Sequence, residues 1–189
     1  AAARNRFLLR NPEKQELNQY WYSKETINVL VQEVEENATH AAFVSTPSLF
    51  FSLTNPELRA ASCVFDLDEK WKSEAGWVRY DFNDPTNVGV GLEHTFDFVI
   101  IDPPFITREV WEKYATTAKL LLQPQGKILA STIAENHELM KELLNLEAVA
   151  FRPSIPNLVY QYNFFSNYPS TRLSEANPEI DPPINGISA

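Results

Sequence analysis

The run Phe96-Asp97-Phe98-Val99-Ile100-Ile101, followed at once by Asp102-Pro103-Pro104-Phe105, restricts what this chain can fold into more than any other stretch. Apart from Asp97 the run is aromatic or β-branched. It is short for a helix and too continuous for a half-exposed strand, so it reads as a strand covered on both faces. Pro103 and Pro104 cannot donate to a sheet ladder and force the residues before them out of the helical region, so the strand must end there. In an open parallel sheet, ligands bind in the crevice beyond the carboxyl ends of the strands. With two prolines fixing φ, the Asp102 carboxylate, the neighbouring carbonyls and the Phe105 ring keep little freedom, and the corner is preorganised to hold an amine. The plainer reading is an ordinary turn with Phe105 plugging the core, and only the rest of the chain can decide between them.

The rest of the chain alternates helical and strand-like segments. Residues 23 to 37 place Ile27, Leu30, Val31 and Val34 at helical spacing, with Ser23 as cap and Asn37 as stop. Strands are expected at Ala41 to Ser45, at Ala61 to Phe65 ending in Asp66, and at Trp77 to Tyr80 ending in Asp81. After the proline corner come a helix from Glu109 to Leu122, a stop at Gln123-Pro124-Gln125-Gly126, and a strand from Lys127 to Ser131. A helix from Glu135 to Leu144 and an aromatic strand from Val159 to Phe165 complete the pattern. Such alternation predicts an α/β fold with a mostly parallel sheet.

An acid follows the second strand and another the third, on the same edge as the proline corner. Asp66 is placed to accept from ribose hydroxyls, with Asp68 as the near alternative, and Asp81 with Phe82 would flank an adenine ring. The first turn, Ser45-Thr46-Pro47-Ser48, contains no glycine, so it carries neither a dinucleotide fingerprint nor a phosphate-cradling loop. A cofactor without phosphates, such as S-adenosylmethionine, makes no such demand on the backbone.

The chain has 189 residues, 44% of them hydrophobic, enough for one domain with a real core. Its net charge of −9 argues against broad capture of nucleic acid, which depends on Lys and Arg. The charge favours a basic protein partner or a small substrate. One cysteine, Cys63, excludes an internal disulfide framework. His40, His94 and His137 lack ligand spacing, so no metal site is expected. Ser45 and Ser48 have no nucleophile-elbow setting. No apolar run reaches membrane-spanning length. Three segments are expected: an extension over residues 1–16, a catalytic domain over 17–170, and a proline-rich tail over 171–189, mobile or extended along a partner from about Leu173. The beginning, Ala1-Ala2-Ala3, lacks an initiator methionine. The cytoplasm is the expected compartment, or the mitochondrion if Arg4, Arg6 and Arg10 are the remnant of a transit peptide.

Longer motifs add a family resemblance. Asn18-Gln19-Tyr20-Trp21-Tyr22-Ser23, the turn Ser45-Thr46-Pro47-Ser48-Leu49-Phe50, Phe65-Asp66-Leu67-Asp68-Glu69-Lys70-Trp71, Tyr80-Asp81-Phe82-Asn83 and the Phe96 to Phe105 strand are, together, similar to the eukaryotic family first labelled N-6 adenine-specific DNA methyltransferase for its DPPF motif, and now associated with lysine methylation of elongation factor 1A. The resemblance spans Leu17 to Tyr168. It implies a class I (Rossmann-like), seven-stranded S-adenosylmethionine-dependent methyltransferase fold with helices on both faces. One departure stands out: where the family closes with an Asn-Glu pair, this chain has Tyr160-Gln161.

On that reading Asp102, Pro103, Pro104 and Phe105 are catalytic. Ser45, Thr46, Pro47, Ser48, Asp66, Asp68, Asp81, Phe82 and Asp102 hold the cofactor, and Tyr20, Trp21, Tyr22 and Phe105 the substrate. An apolar pocket around the aromatics would lower a lysine's pKa, while Asp102 and the Pro103 carbonyl orient its amine. The expected substrate is a basic translation factor. Two readings stay open: adenine-N6 methylation of RNA or DNA, with the base flipped or single-stranded, and a methyltransferase-like structural subunit of a larger complex.

Overall fold

The computed structural model describes residues 4–180. In chain order its elements are α1 (Arg6–Arg10), α2 (Lys24–Asn37), β1 (Ala41–Val44), α3 (Pro47–Phe50), α4 (Pro56–Ala61), β2 (Cys63–Asp66), β3 (Trp77–Arg79), β4 (Phe96–Ile101), α5 (Arg108–Leu121), β5 (Leu122–Ile133), α6 (His137–Leu144), β6 (Glu147–Ala148) and β7 (Tyr162–Ser166). They build one seven-stranded sheet in the order β3-β2-β1-β4-β5-β7-β6. The first five strands run parallel, and β7 runs antiparallel to both its neighbours.

Both faces of the sheet are covered, which is why β1 and β4 read as unbroken apolar runs. Ala42, Val44, Val99, Ile101, Ile128 and Ala130 point to the side where Trp111, Tyr114 and Ala118 of α5 and Met140 of α6 pack. Their alternates Ala41, Phe43, Phe98, Ile100 and Leu129 meet Ile27, Leu30 and Val34 of α2 and Phe50 of α3 on the other side. Asp97, the one polar residue of β4, accepts from the Thr39 and His40 backbone amides and the Thr39 hydroxyl, and so pins the entry to β1.

Helix α2 starts where expected, because the Ser23 hydroxyl accepts from the Thr26 amide. Several boundaries differ. The second strand begins at Cys63 rather than Ala61, because Asn55 caps the short helix α4, accepting from the Glu57 and Leu58 amides and keeping Ala61 helical. The last strand begins at Tyr162 rather than Val159, which lies exposed with Tyr160 in the preceding loop. The fifth strand begins at Leu122 rather than Lys127, so Gln123-Pro124-Gln125-Gly126, expected as the stop before it, lies inside the strand and interrupts its ladder. Phe96 pairs with Leu122 but Phe98 pairs with Lys127, so the tetrapeptide bulges out, with Gln125 at φ 64°.

The expected segment boundaries need correction. In the N-terminal stretch the Phe7 ring packs against Trp21, Phe51 and Trp71. At the other end Leu173 is fully buried, the Phe151 amide donates to its carbonyl at 3.0 Å, and Asn177 donates to the Arg152 carbonyl at 2.8 Å. Arg172 bridges to the buried Glu33 at 2.8 Å. Residues 171–180 are therefore part of the packed body rather than the start of a mobile tail, because Leu173 supplies apolar area that the proline-rich composition conceals. Residues 181–189 of the expected tail lie outside the described residues.

Candidate active site

Between β1 and β4 the strand order reverses, and at this switch point a ligand crevice forms outside the strand ends of an open α/β sheet. A cleft opens there, enclosing about 810 Å³ when counted out to its open mouth. Ser45 and Pro47 after β1, Asp66 at the end of β2, Tyr80 and Phe82 after β3, and Asp102, Pro103 and Pro104 after β4 all line it. Tyr114 of α5 forms part of the floor. Residues 17–21, arriving from the N-terminal segment, form one wall, and Ile155, Leu158 and Tyr162 form another.

The glycine-free first turn works by an uncommon device. Ser45 takes φ 58°, a conformation usually left to glycine. Its amide donates to the Phe65 carbonyl at 2.8 Å, and its hydroxyl shares a 2.7 Å hydrogen bond with the Tyr114 hydroxyl. Those two contacts hold the strained residue and its chain neighbour Pro47 at the cleft. Thr46 and Ser48, assigned to the same role, are each 2% exposed and lie under the turn, outside the cleft wall.

The two acids after β2 divide their work. Asp66 faces the cleft, accepts from the Asp68 amide at 2.8 Å, and has its carboxyl pushed up to about 7, chiefly by burial with Asp68 adding. Asp68 instead holds the N-terminal segment, pairing with Lys14 at 2.9 Å and accepting from Gln19 at 3.0 Å. Burial would raise its carboxyl, but Lys14, Lys70 and Gln19 together hold it below the usual range. Asp81 is not brought to the cleft either, its carboxylate being used by the Asn83 amide in the turn after β3. Phe82 is, and its ring lies 5.9 Å from Tyr114 and 6.2 Å from Phe105.

At the proline corner Asp102 sits on the cleft floor. Ser131, one strand over on β5, donates to its Oδ1 at 2.9 Å, and the Tyr22 hydroxyl meets Ser131 Oγ at 2.6 Å. Burial pushes the Asp102 carboxyl up to about 7, against the hydrogen bonds from Ser131 and Tyr22 that favour its charged form. The Pro104 carbonyl is taken by the Asn18 side-chain amide. Phe105, expected to stack on substrate, stands half exposed beside Phe82, on the rim rather than in the wall. Tyr20 and Trp21 line the cleft as expected, but Tyr22 turns inward, buried beneath it.

Several residues of the site escaped the sequence reading. Ser131 had a visible signal, being a polar residue on an apolar strand level with Asp102. Tyr114 and Tyr162 read as core aromatics. The altered pair is resolved by its bonding: the Gln161 amide donates to the Pro153 and Tyr162 carbonyls, which a carboxylate could not do, and Tyr160 is left exposed.

Residues 13–170 match the family described as probable N6-adenine methyltransferase. The chain belongs to this family. Its relatives include human EEF1A lysine methyltransferase 1, 34% identical over 166 residues, with 84% of this chain and 76% of that protein covered. The Danio rerio protein of the same name is 32% identical, with 84% of this chain and 100% of that protein covered. A protein-lysine N-methyltransferase of Dictyostelium discoideum is 29% identical over 169 residues, covering 86% and 80%. Among solved structures, a putative O-methyltransferase from Nostoc punctiforme aligns with TM-score 0.53 at 11% identity, covering 75% of this chain and 56% of that one. The N-methyltransferase NodS from Bradyrhizobium japonicum, crystallised with S-adenosylhomocysteine, aligns with TM-score 0.50 at 12% identity, covering 85% and 95%. These likenesses place the fold as the class I methyltransferase fold expected of the family.

The cleft residues fit S-adenosylmethionine, the donor such a fold implies. Asp66 would offer its carboxyl oxygens to ribose hydroxyls. Phe82 and Leu67 would flank an adenine with apolar surface, and the turn at Ser45 brings backbone to the cleft without the glycines that a pyrophosphate requires.

Proposed function

We propose that this protein is an S-adenosylmethionine-dependent protein-lysine N-methyltransferase acting on an elongation factor 1A-like protein. When bound, S-adenosylmethionine supplies a methyl group already activated on a sulfonium. The protein's own task is to deliver a neutral amine in line with that group and to take its proton. Tyr20, Trp21, Leu158 and Ile155 line the cleft with apolar and aromatic surface, which disfavours an ammonium and lowers a lysine's pKa. Asp102, with a carboxyl near 7, is matched to receive the proton lost as the N–C bond forms. Tyr20 and Leu67 on the cleft wall and Phe105 beside Phe82 expose large apolar side chains, and the exposed Val159 and Tyr160 continue the chain from Leu158 of the wall, a surface suited to the chain around a protein-borne lysine.

The observation that carries this reading is the placement of the Asp102 carboxylate on the floor of an aromatic-walled cleft at the switch point. Incubation with labelled cofactor and a cell lysate, followed by nuclease or protease, tests it. Label removed by protease and absent with Asp102→Ala supports lysine methylation. Label removed by nuclease defeats it in favour of adenine.

A further inference from the structure

Tyr22 is 2% exposed and Ser131 1%, and neither reaches the cleft wall, yet their hydroxyls end on the carboxylate that does. The bonding has a direction. Each hydroxyl carries one proton. With Asp102 ionised, Ser131 spends its proton on Oδ1 at 2.9 Å, so in the 2.6 Å contact between Tyr22 and Ser131 the tyrosine is the donor. Were Ser131 to donate to Tyr22 instead, Oδ1 of Asp102 would lose its serine donor.

We propose that Tyr22 and Ser131 are positioning residues, a one-way chain of donors that ties down Oδ1 of Asp102 and leaves Oδ2 as the oxygen offered to the arriving amine. The inference rests on the lysine-methyltransferase reading of this cleft and adds to it how the acceptor is oriented and kept ready. The titratable groups packed around Asp102 are phenols: Tyr22 from the N-terminal segment, Tyr114 from α5 and Tyr162 from β7, each held in its neutral form by burial. Asp66 is the other carboxyl of the cleft. With phenols on these three sides, the donors from Ser131 and Tyr22 are what offsets burial and holds the Asp102 carboxyl down to about 7.

The test uses the full chain with the Asp102 side-chain carboxyl followed by carbon-13 NMR against pH, alongside the pH profile of kcat/KM for methyl transfer. Ser131→Ala removes the bond to Oδ1, and Tyr22→Phe removes the head of the chain while its ring still fills the place against Phe164. Ser131→Ala should move the Asp102 midpoint and the acid limb of the profile upward together by about one pH unit, the scale of one hydrogen bond to a charged group. Tyr22→Phe should move both by less, in the same direction. A midpoint within about 0.3 unit of the wild type in both variants overturns the inference, as does activity lost equally at every pH. Should Ser131→Ala fail to fold, Tyr22→Phe decides alone. Because the titration needs no turnover, a shifted midpoint in a protein that methylates no lysine sinks the proposed function and leaves standing only that Tyr22 and Ser131 orient Asp102. An unshifted midpoint in an active enzyme does the reverse.

Discussion

Replacing Asp102 with asparagine should stabilise the protein while silencing it. The native carboxyl is pushed from 3.8 to about 7 by burial, so the folded state holds a proton that the unfolded chain has released across that interval. Below pH 3.8 both states are protonated and the group costs folding nothing. As pH rises the cost grows, and above 7 it levels off at a ceiling on the order of 4 kcal/mol. Asparagine is neutral at every pH and its amide oxygen can still accept from Ser131, so the variant escapes this cost. The new amide donors need partners in the cleft, which trims the gain to about 2 to 4 kcal/mol at pH 8, or a melting temperature higher by roughly 5 to 12 °C for a domain of this size. Urea titrations of both proteins at pH 5 and pH 8 measure it, and the advantage of Asp102→Asn should widen by on the order of 2 kcal/mol between the two. Turnover should fall at least about a hundredfold, the usual worth of a positioned base. A variant no more stable at pH 8 than at pH 5, relative to the wild type, would refute the claim that Asp102 is a buried carboxylate held at a cost.

Three further outcomes follow from the same structure. Phe82→Ala removes a ring packed against Tyr114 and Phe105, and should weaken S-adenosylmethionine binding about five- to tenfold by calorimetry, the worth of one aromatic contact. Val159→Asp places a charge on the exposed residue next to Leu158 of the cleft wall and should raise KM for the protein substrate several-fold while kcat stays within about twofold, because the lost contact is common to ground and transition states. Leu173→Ala should cost about 2 to 4 kcal/mol in denaturant unfolding, since its side chain is fully buried against the core; a loss under about 0.5 kcal/mol would restore the mobile-tail reading.

Much of the fold was legible because its signals are local. A six-residue apolar run stopped by two prolines, a serine cap and acids at strand ends each act within one element. The cleft was legible for the same reason, since parallel strands bring their terminal residues to one edge. What the sequence hid depends on long-range packing. Asp81 has the right position for a ligand contact, yet the turn it starts claims its carboxylate. Tyr22 follows two aromatic residues, Tyr20 and Trp21, and only tertiary contact shows that it turns inward while they face the cleft. Asp68 likewise has a ligand's place after β2, yet Lys14, 54 residues away in the chain, draws it into holding the N-terminal segment. Leu173 lies among prolines and polar residues, and nothing in the local pattern marks it as core.

On the proposed function the cleft delivers a protein lysine to an activated methyl group with Asp102 as its acceptor. The most direct measurement is mass spectrometry of purified elongation factor 1A after incubation with this protein and S-adenosylmethionine. The account predicts a methyl group gained on a lysine and lost with Asp102→Ala. An unmodified elongation factor, under conditions where calorimetry shows the cofactor bound, would contradict it.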